Sequence, residues 1–576
     1  MKQLMLGNAA VARGLYEAGC SFVSSYPGTP STEITEAIAK YPEVYAEWAP
    51  NEKVAMEAAF GASLAGRRSF CGMKHVGLNV AADPLFTISY TGVNAGMVIC
   101  VADDAGMHSS QNEQDSRHYA MAAKIPMLEP SDSAEAHAFA KLAYELSETF
   151  DTPVLLKMCT RVSHSQSVVQ TGERTEHLKE YQKDIPKYVM MPGNAKRRHP
   201  VVEQRTRKLV EYAETAPINF IEEGTNRSIG IVTGSTSYQY VKEVLGDKYP
   251  VLKLGMVWPL PEKKLLSFAD SVEKLVVVEE LDGFIEAHCR GLGLQPAGKE
   301  LFGNIDELMP LTVARQLGKP WQTGVKLDAA IPARPPVMCA GCPHRGLFYT
   351  LKKLGLTVLG DIGCYTLGAV APLAAVDSVI CMGASVSGLH GFSKSQQGAM
   401  DGKTVAVIGD STFMHSGITG LVNIAYNESN ATVIIVDNSI TGMTGHQHNP
   451  TTGFNLKGDP CAKIDLEQLC RAVGIRRVRV IDPYDLKQCE AAIREELAAA
   501  EPSVIISRRP CALLKYVKHK APLVVDPDKC VGCKACMKIG CPAISIKDKK
   551  AKIDDTLCVG CGVCQQLCRM DALKEV

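Results

Sequence analysis

Through the first 165 residues, short apolar runs alternate with Ala-rich stretches of helical character. Phe22 to Ser25, Met97 to Ala102 and Pro153 to Met158 read as strands, and Val54 to Ala65 and Ser133 to Leu146 as helices. That rhythm predicts an α/β domain over 1–165 with a mostly parallel sheet. Residues 166–225 turn polar and basic, and predict a connecting segment whose Lys196-Arg197-Arg198-His199 run is a solvated surface. The strand pattern resumes at Ser228 to Thr233, Val251 to Gly255 and Leu275 to Glu279, a central α/β domain over 226–330. Proline-rich text from Pro332 to Pro336 marks a boundary. A third α/β domain, 337–515, has strands at Thr357 to Leu359, Thr404 to Ile408, Ala431 to Val436 and Ser503 to Ser507, and a cysteine-rich tail fills 520–576.

A chain of 576 residues is too long for one core, which agrees with several domains. Lys+Arg equal Asp+Glu at 62 each, and this zero balance argues against a nucleic-acid or anionic-membrane surface as the main business of the protein. No stretch approaches the roughly twenty apolar residues of a membrane span. The N-terminus, with Arg13 and Glu17 in an amphipathic pattern, lacks the apolar core of a signal peptide. Twenty-one cysteines without a secretory signal then predict a cytoplasmic protein, whose thiols serve metals or lie buried.

Eight of those cysteines form two runs, Cys530-x2-Cys533-x2-Cys536-x4-Cys541-Pro542 and Cys558-x2-Cys561-x2-Cys564-x3-Cys568. This is the ligand spacing of a ferredoxin-like domain with two 4Fe-4S clusters. A tight C-x2-C-x2-C loop gives three thiolates to one cube and the remote fourth cysteine closes the other. Cys530, Cys533 and Cys536 therefore pair with Cys568, and Cys558, Cys561 and Cys564 with Cys541. Zinc and disulfides are the alternatives; zinc prefers C-x2-C pairs set farther apart, and disulfides do not suit a reducing compartment. The first run carries one residue more than usual before Cys541, and Arg569 stands where a proline commonly follows the last cysteine.

The strand Thr404 to Ile408 runs into Gly409-Asp410-Ser411, and the strand Ala431 to Val436 ends at Asp437-Asn438-Ser439-Ile440. An acid after one buried strand and an amide after the next both reach the carboxyl edge of a parallel sheet, where doubly wound folds bind ligands. Magnesium takes oxygen ligands and is completed by substrate phosphates, so Asp410, Asn438 and the Ile440 carbonyl predict half of a Mg2+–diphosphate site. The pattern is similar to the thiamine diphosphate signature, with Ser411 in place of a glycine; a common turn is the alternative. Thiamine enzymes also need a carboxylate against the pyrimidine ring. Glu52, at the head of the helical stretch Val54 to Gly66, is the candidate, against a plain N-terminal acid favoured by the helix dipole.

Taken with Tyr26-Pro27-Gly28-Thr29-Pro30-Ser31, Asn51-Glu52, Gly61 to Gly66, Cys339-Ala340-Gly341-Cys342-Pro343-His344-Arg345 and Asp361 to Thr366, these motifs resemble the thiamine-dependent 2-oxoacid:ferredoxin oxidoreductases over essentially the whole chain. Domain order, the fused tail and the Cys-Pro-His-Arg variant look most like the large (alpha) subunit of the indolepyruvate branch. The resemblance implies oxidative decarboxylation of an arylpyruvate, transfer of the acyl group to coenzyme A, and delivery of two electrons through 4Fe-4S clusters to ferredoxin. It implies thiamine diphosphate, Mg2+ and a smaller beta subunit as partner, in a heterodimer or a dimer of heterodimers. Thr29 would face substrate and thiamine, Glu52 would contact the pyrimidine, and Arg117 would hold the substrate carboxylate, a task suited to a guanidinium fork; an arginine paired to a local acid is the alternative. His75 and His344 are read as contacts to substrate or diphosphate, or as structural histidines.

In relatives with a cluster beside thiamine, a C-x2-C pair, a cysteine after the next strand and a Pro-Cys late in the domain are its ligands. The resemblance assigns these to Cys339, Cys342, Cys364 and Cys511, with zinc or four separately buried thiols left open. Cys20, Cys71, Cys100, Cys159, Cys289, Cys381, Cys461, Cys470 and Cys489 stand singly and are read as small buried hydrophobes. Other readings of function are an oxidoreductase of another 2-oxoacid, such as pyruvate or phenylglyoxylate, and an electron-transfer protein with vestigial thiamine domains, which only Ser411 favours. A nonoxidative decarboxylase would have no use for the cluster cysteines.

Overall fold

A computed structural model of the chain describes residues 1–321, 324–325, 327–397 and 399–575; the last position of the predicted tail and three positions late in the predicted central domain lie outside the described residues. The chain divides into two compact units, Met1–Asp328 and Ala329–Val576.

The first unit is built on a seven-stranded sheet in the order Met256–Trp258, Met127–Leu128, Val154–Cys159, Met97–Asp103, Ser69–Lys74, Phe22–Ser25, Tyr45–Trp48. All pairs are parallel except the first. The strands Ser69–Lys74, Met97–Asp103 and Val154–Cys159 are buried at every position, as expected of parallel strands covered on both faces. A smaller sheet runs Leu275–Val278, Gly230–Gly234, Val251–Leu254, Phe220–Glu222. The two sheets are not independent domains: directly after Val251–Leu254 the chain crosses over, and Met256–Trp258 extends the larger sheet antiparallel to Met127–Leu128.

The predicted connecting segment is instead ordered and packed. Gln166–Gln170 pairs antiparallel with Lys2–Leu6. Pro192–Thr215 is a 24-residue helix on the first domain. Its Arg198 donates to the Tyr90 carbonyl (2.7 Å) and Asp151 (2.9 Å), and its Arg205 to the Asp151 carbonyl (3.0 Å) and Ser89 (3.0 Å). Lys196, Arg197 and His199 do face solvent; the buried residues of this helix are Asn194, Val202, Arg205, Leu209 and Ala213.

The second unit holds a five-stranded, wholly parallel sheet in the order Thr357–Leu359, Thr404–Gly409, Thr432–Asp437, Ser503–Arg508, Arg477–Ile481. In its central strand Val433, Ile434, Ile435 and Val436 are all but fully buried, each burial stabilising by roughly 1.5–3 kcal/mol. The tail folds around Leu523, Ile539, Ile544, Val563 and Leu573, with two small antiparallel pairs, Val524–Val525 with Leu573–Lys574 and the hairpin Ile544–Lys547 with Lys550–Ile553. Among the described residues no helix is long and apolar enough to cross a membrane.

Candidate functional site

At the carboxyl edge of the first sheet, three neighbouring strands deliver the N-terminal candidates. Strand Phe22–Ser25 leads into the Tyr26–Ser31 turn, Tyr45–Trp48 into Asn51-Glu52, and Ser69–Lys74 into His75. Asn51 caps the helix Glu52–Leu64 by accepting from the Val54 N–H (2.9 Å). Glu52 is only 5% exposed, so it is not the solvated N-terminal acid of the alternative reading. Its side chain lies over Gly77, where an added Cβ would come within 2.5 Å of Oε1. His75 Nε2 meets the Asn112 carbonyl at 3.1 Å while its buried Nδ1 has no partner. The Asn112 carbonyl can only accept, so Nε2 carries the proton and Nδ1 is an acceptor, suited to a donor group and unsuited to a diphosphate oxygen. Thr29 is half-buried in the turn.

Arg117 corrects the expectation from resemblance. It is 2% exposed, and its guanidinium is occupied by Asp115 through Nε (2.9 Å) and Nη2 (2.5 Å), by Glu279 through Nη1 (2.7 Å), and by the carbonyls of Glu280 (2.9 Å) and Asp282 (3.1 Å). Burial works against the Asp115 carboxylate, yet Arg117 holds it at about 2. A substrate carboxylate would have to displace one of these acids. Arg117 instead ties the segment after Met97–Asp103 to the smaller sheet, a local acid pairing moved into the interior.

In the second unit, register places Gly409 opposite Val436, so Asp410 and Asp437 leave adjacent strands side by side. Asp410 is buried, and its Oδ2 accepts from Asn449 Nδ2 (3.1 Å) and Thr451 Oγ1 (2.9 Å). Burial and then the Asp437 charge push the Asp410 carboxyl up to about 7. Arg508 Nε holds Asp437 at 2.8 Å, and the Ser439 N–H turns back onto Asp437 at 3.1 Å, which shapes the loop carrying Asn438 and Ile440. The side-chain oxygen of Asn438 faces Asp410 Oδ1 at 3.2 Å and the Ile440 carbonyl at 2.7 Å. Three acceptors thus converge; either the amide turns its nitrogen to both, or a cation lies among them. The two separations lie on either side of the roughly 2.9 Å edge of an octahedron with metal–oxygen bonds of 2.0–2.1 Å.

Ser411 fits its turn: Thr441 Oγ1 donates to its hydroxyl at 2.9 Å. The departure from glycine therefore no longer favours vestigial domains. His344, expected at the cofactor, packs its ring edge-on against Tyr365 at 6.1 Å, and burial pushes it down to about 4. Tyr365 in turn covers Gly409, where a Cβ would lie 2.6 Å from its ring. His344 thereby supports the turn through Tyr365. Asn449 and Thr451 were invisible to sequence reasoning, because they enter from a loop with no fixed spacing from Asp410.

The tail brings its cysteines together as two sets. Cys530, Cys533, Cys536 and Cys568 line one cavity with Val531, Lys534 and Met570. Burial raises the Cys561 thiol, as do the sulfurs of Cys541 and Cys558, and Cys564 is raised likewise, with Cys561 the largest influence after burial. Cys339, Cys342, Cys364 and Cys511 also converge within the second unit. Burial pushes Cys342 up to about 12, helped by Cys364 and Cys339; it pushes Cys364 to about 11, helped by Cys511 and Cys339. Zinc–sulfur bonds of about 2.3 Å would draw four thiolates to about 3.8 Å from one another. Among the described residues no three cysteine sulfurs lie within 4.8 Å of each other. Of the nine single cysteines seven are buried; Cys381 and Cys461 are exposed, against expectation.

Three family models match the chain. Residues 13–223 match the pyruvate flavodoxin/ferredoxin oxidoreductase thiamine diphosphate-binding domain, 361–507 the C-terminal TPP-binding domain of thiamine pyrophosphate enzymes, and 522–569 the 4Fe-4S dicluster domain. Among curated proteins, the indolepyruvate oxidoreductase subunit IorA of Archaeoglobus fulgidus is 40% identical over 621 aligned residues, covering 100% of this chain and 97% of that one. The subunit of the same name from Thermococcus kodakarensis is 40% identical over 627, again with 100% and 97% covered. A 2-oxoglutarate synthase subunit KorA from A. fulgidus is 26% identical, over 49% of this chain and 88% of that one.

Proposed function

We propose, from the premise that the chain belongs to the family of indolepyruvate oxidoreductase IorA subunits, that it decarboxylates arylpyruvates, indolepyruvate first among them, and passes the acyl group to coenzyme A. The coarser statement needs no proposal: this is an oxidoreductase subunit of the 2-oxoacid class with thiamine-binding and 4Fe-4S dicluster domains. The observation that carries the reading is the meeting of Asp410, Asn438 and Ile440 oxygens at a sheet edge in a chain aligned end to end with those relatives.

Thiamine diphosphate, when bound, supplies the carbanion chemistry that releases carbon dioxide from a 2-oxoacid. The chain's own residues bind and orient. Asp410 Oδ1, Asn438 Oδ1 and the Ile440 carbonyl would hold Mg2+, while Asn449 and Thr451 fix the other carboxylate oxygen, Asp410 Oδ2. The Glu52 carboxylate, close against Gly77, would hold a proton at the pyrimidine ring. Thr29 and His75 stand at the same sheet edge as Glu52, His75 with an acceptor nitrogen open to a substrate donor. The cysteine sets would hold 4Fe-4S clusters that supply an electron exit toward ferredoxin, and a smaller subunit would complete the enzyme in the cytoplasm.

An anaerobic assay of the chain with its partner subunit, coenzyme A and ferredoxin over a panel of 2-oxoacids tests the substrate. Indolepyruvate should give the highest kcat/KM; a higher value for pyruvate would transfer the enzyme to another branch. The cluster count is tested separately. Anaerobically prepared protein should contain about twelve irons per chain, three cubes of four, where the tail alone gives about eight. Cys342→Ser should lower the count by about four and leave the tail clusters reducible by dithionite, and an unchanged count would remove the cluster from Cys339, Cys342, Cys364 and Cys511.

A further inference from the structure

We propose that Arg345 is the electrostatic bridge between two iron–sulfur centres, a positioning residue whose charge stabilises an added electron on both. This rests on the reading that Cys339, Cys342, Cys364 and Cys511 hold a cluster. Arg345 is the second residue of the helix His344–Leu354 and is 4% exposed. Its Nε donates to the Cys339 carbonyl (3.0 Å) and its Nη2 to the Met338 carbonyl. Its Nη1 reaches across to the carbonyls of Ile539 (3.2 Å) and Gly540 (2.5 Å), immediately before Cys541. One guanidinium therefore closes the C-x2-C loop of one centre and the turn that presents the remote cysteine of another.

The fit is tight. Gly540 sits at φ +66°, and a Cβ there would lie 2.9 Å from Pro372 and 3.3 Å from Arg345 Nη1. A Cβ on Gly341, within the C-x2-C loop, would lie 2.2 Å from Val559, the neighbour of Cys558. The tail is thus docked with the loop of one centre against the loop of the next.

None of the four acceptors of Arg345 is a carboxylate. A guanidinium taken out of water without a counter-charge is costly, and removing the only compensating group is costlier still. The nearby Arg509 differs: Asp482 pairs with it at 2.7 Å and neutralises it. The counter-charge for Arg345 has to come from sulfur. Its carbonyl contacts run to Cys339 on one side and, on the other, to Ile539 and Gly540 beside Cys541. Thiolate-ligated cubes carry net negative charge, which grows by one on reduction, so a fixed cation between two of them favours the reduced form of each. The set Cys530, Cys533, Cys536 and Cys568 lines its own cavity and supplies none of the carbonyl partners of Arg345 given above, so its cluster serves as an internal control.

The test is an EPR-monitored potentiometric titration of the anaerobically prepared holoprotein with Arg345→Gln and Arg345→Lys. Loss of the charge in R345Q should shift the reduction equilibrium of the two inner clusters at least tenfold toward the oxidised form, about 59 mV for one electron, and leave the outer cluster in place. R345K, which keeps the charge and loses most of the carbonyl contacts, should stay close to wild type. Inner potentials unchanged in an iron-replete R345Q, or all clusters shifting together, would overturn the proposal. Should R345Q fail to assemble its inner clusters, R345K decides: full iron in the Lys variant supports the role of charge, and equal loss of iron in both reduces Arg345 to a geometric clamp. An iron count near eight in the wild type sinks the additional cluster alone, and the Arg345 effect is then read on the Cys541 cluster.

Discussion

Glu52→Gln should leave thiamine diphosphate bound and lower turnover by about 10²- to 10⁴-fold, the usual cost of losing a general acid–base group. The amide matches the carboxylate in shape, so the contact with Gly77 and the helix cap from Asn51 survive. What is lost is the capacity to hold a proton at the pyrimidine ring. Cofactor stoichiometry and single-turnover decarboxylation measured on the same preparation separate the two effects. Gly77→Ala offers a milder perturbation of the same atom, since its methyl would start 2.5 Å from Glu52 Oε1 and push the carboxylate aside without changing its chemistry. Near-normal turnover in the Gln variant would end the assignment of Glu52.

Asp410→Ala should act on binding before it acts on rate. The substitution breaks the set of three oxygens and leaves Asn449 Nδ2 and Thr451 Oγ1 facing a cavity instead of an acceptor. Loss of an outer-shell partner typically costs 10–100-fold in metal affinity, and loss of the ligand itself should exceed that. Affinity for Mg2+ and thiamine diphosphate, titrated together, should therefore fall by more than about 100-fold in D410A, and by about 10- to 100-fold in Thr451→Val. Iron content should stay at the wild-type value in both. Full cofactor and metal in purified D410A would move the magnesium site elsewhere.

Strand positions were legible wherever burial on both faces leaves an uninterrupted aliphatic run. Phe22–Ser25 and Thr357–Leu359 match the sequence reading residue for residue, Thr404–Gly409 runs one residue longer at its end, and Thr432–Asp437 is shifted by one residue at both ends. The site residues that stand next to those strands, Asp410 and Asn438, were legible for the same reason: a buried parallel strand delivers the next residue to one edge. For Arg117 a local acid was the alternative, and Asp115 is that acid; the further partners Glu279, Glu280 and Asp282 were not legible because they are far off in sequence and arrive beside another sheet. Asn449 and Thr451 lie in a loop without hydrophobic periodicity, where no pattern announces which polar side chain turns inward. The long helix Pro192–Thr215 escaped notice because most of its residues are polar and Pro200 interrupts the helical pattern.

Asn438 looks two ways at once. Its side chain faces Asp410, and its backbone carbonyl accepts the N–H of Cys511 at 2.9 Å. Four residues on, Gly442 stands where a Cβ would touch Cys364 Sγ at 3.4 Å. A single loop is therefore the common wall of the diphosphate pocket and the cysteine pocket beside it. No hinge is interposed, so whatever passes from one pocket to the other need not wait for the microsecond-to-millisecond swing of a domain. Solvent viscosity, which slows such swings, has no purchase on this step.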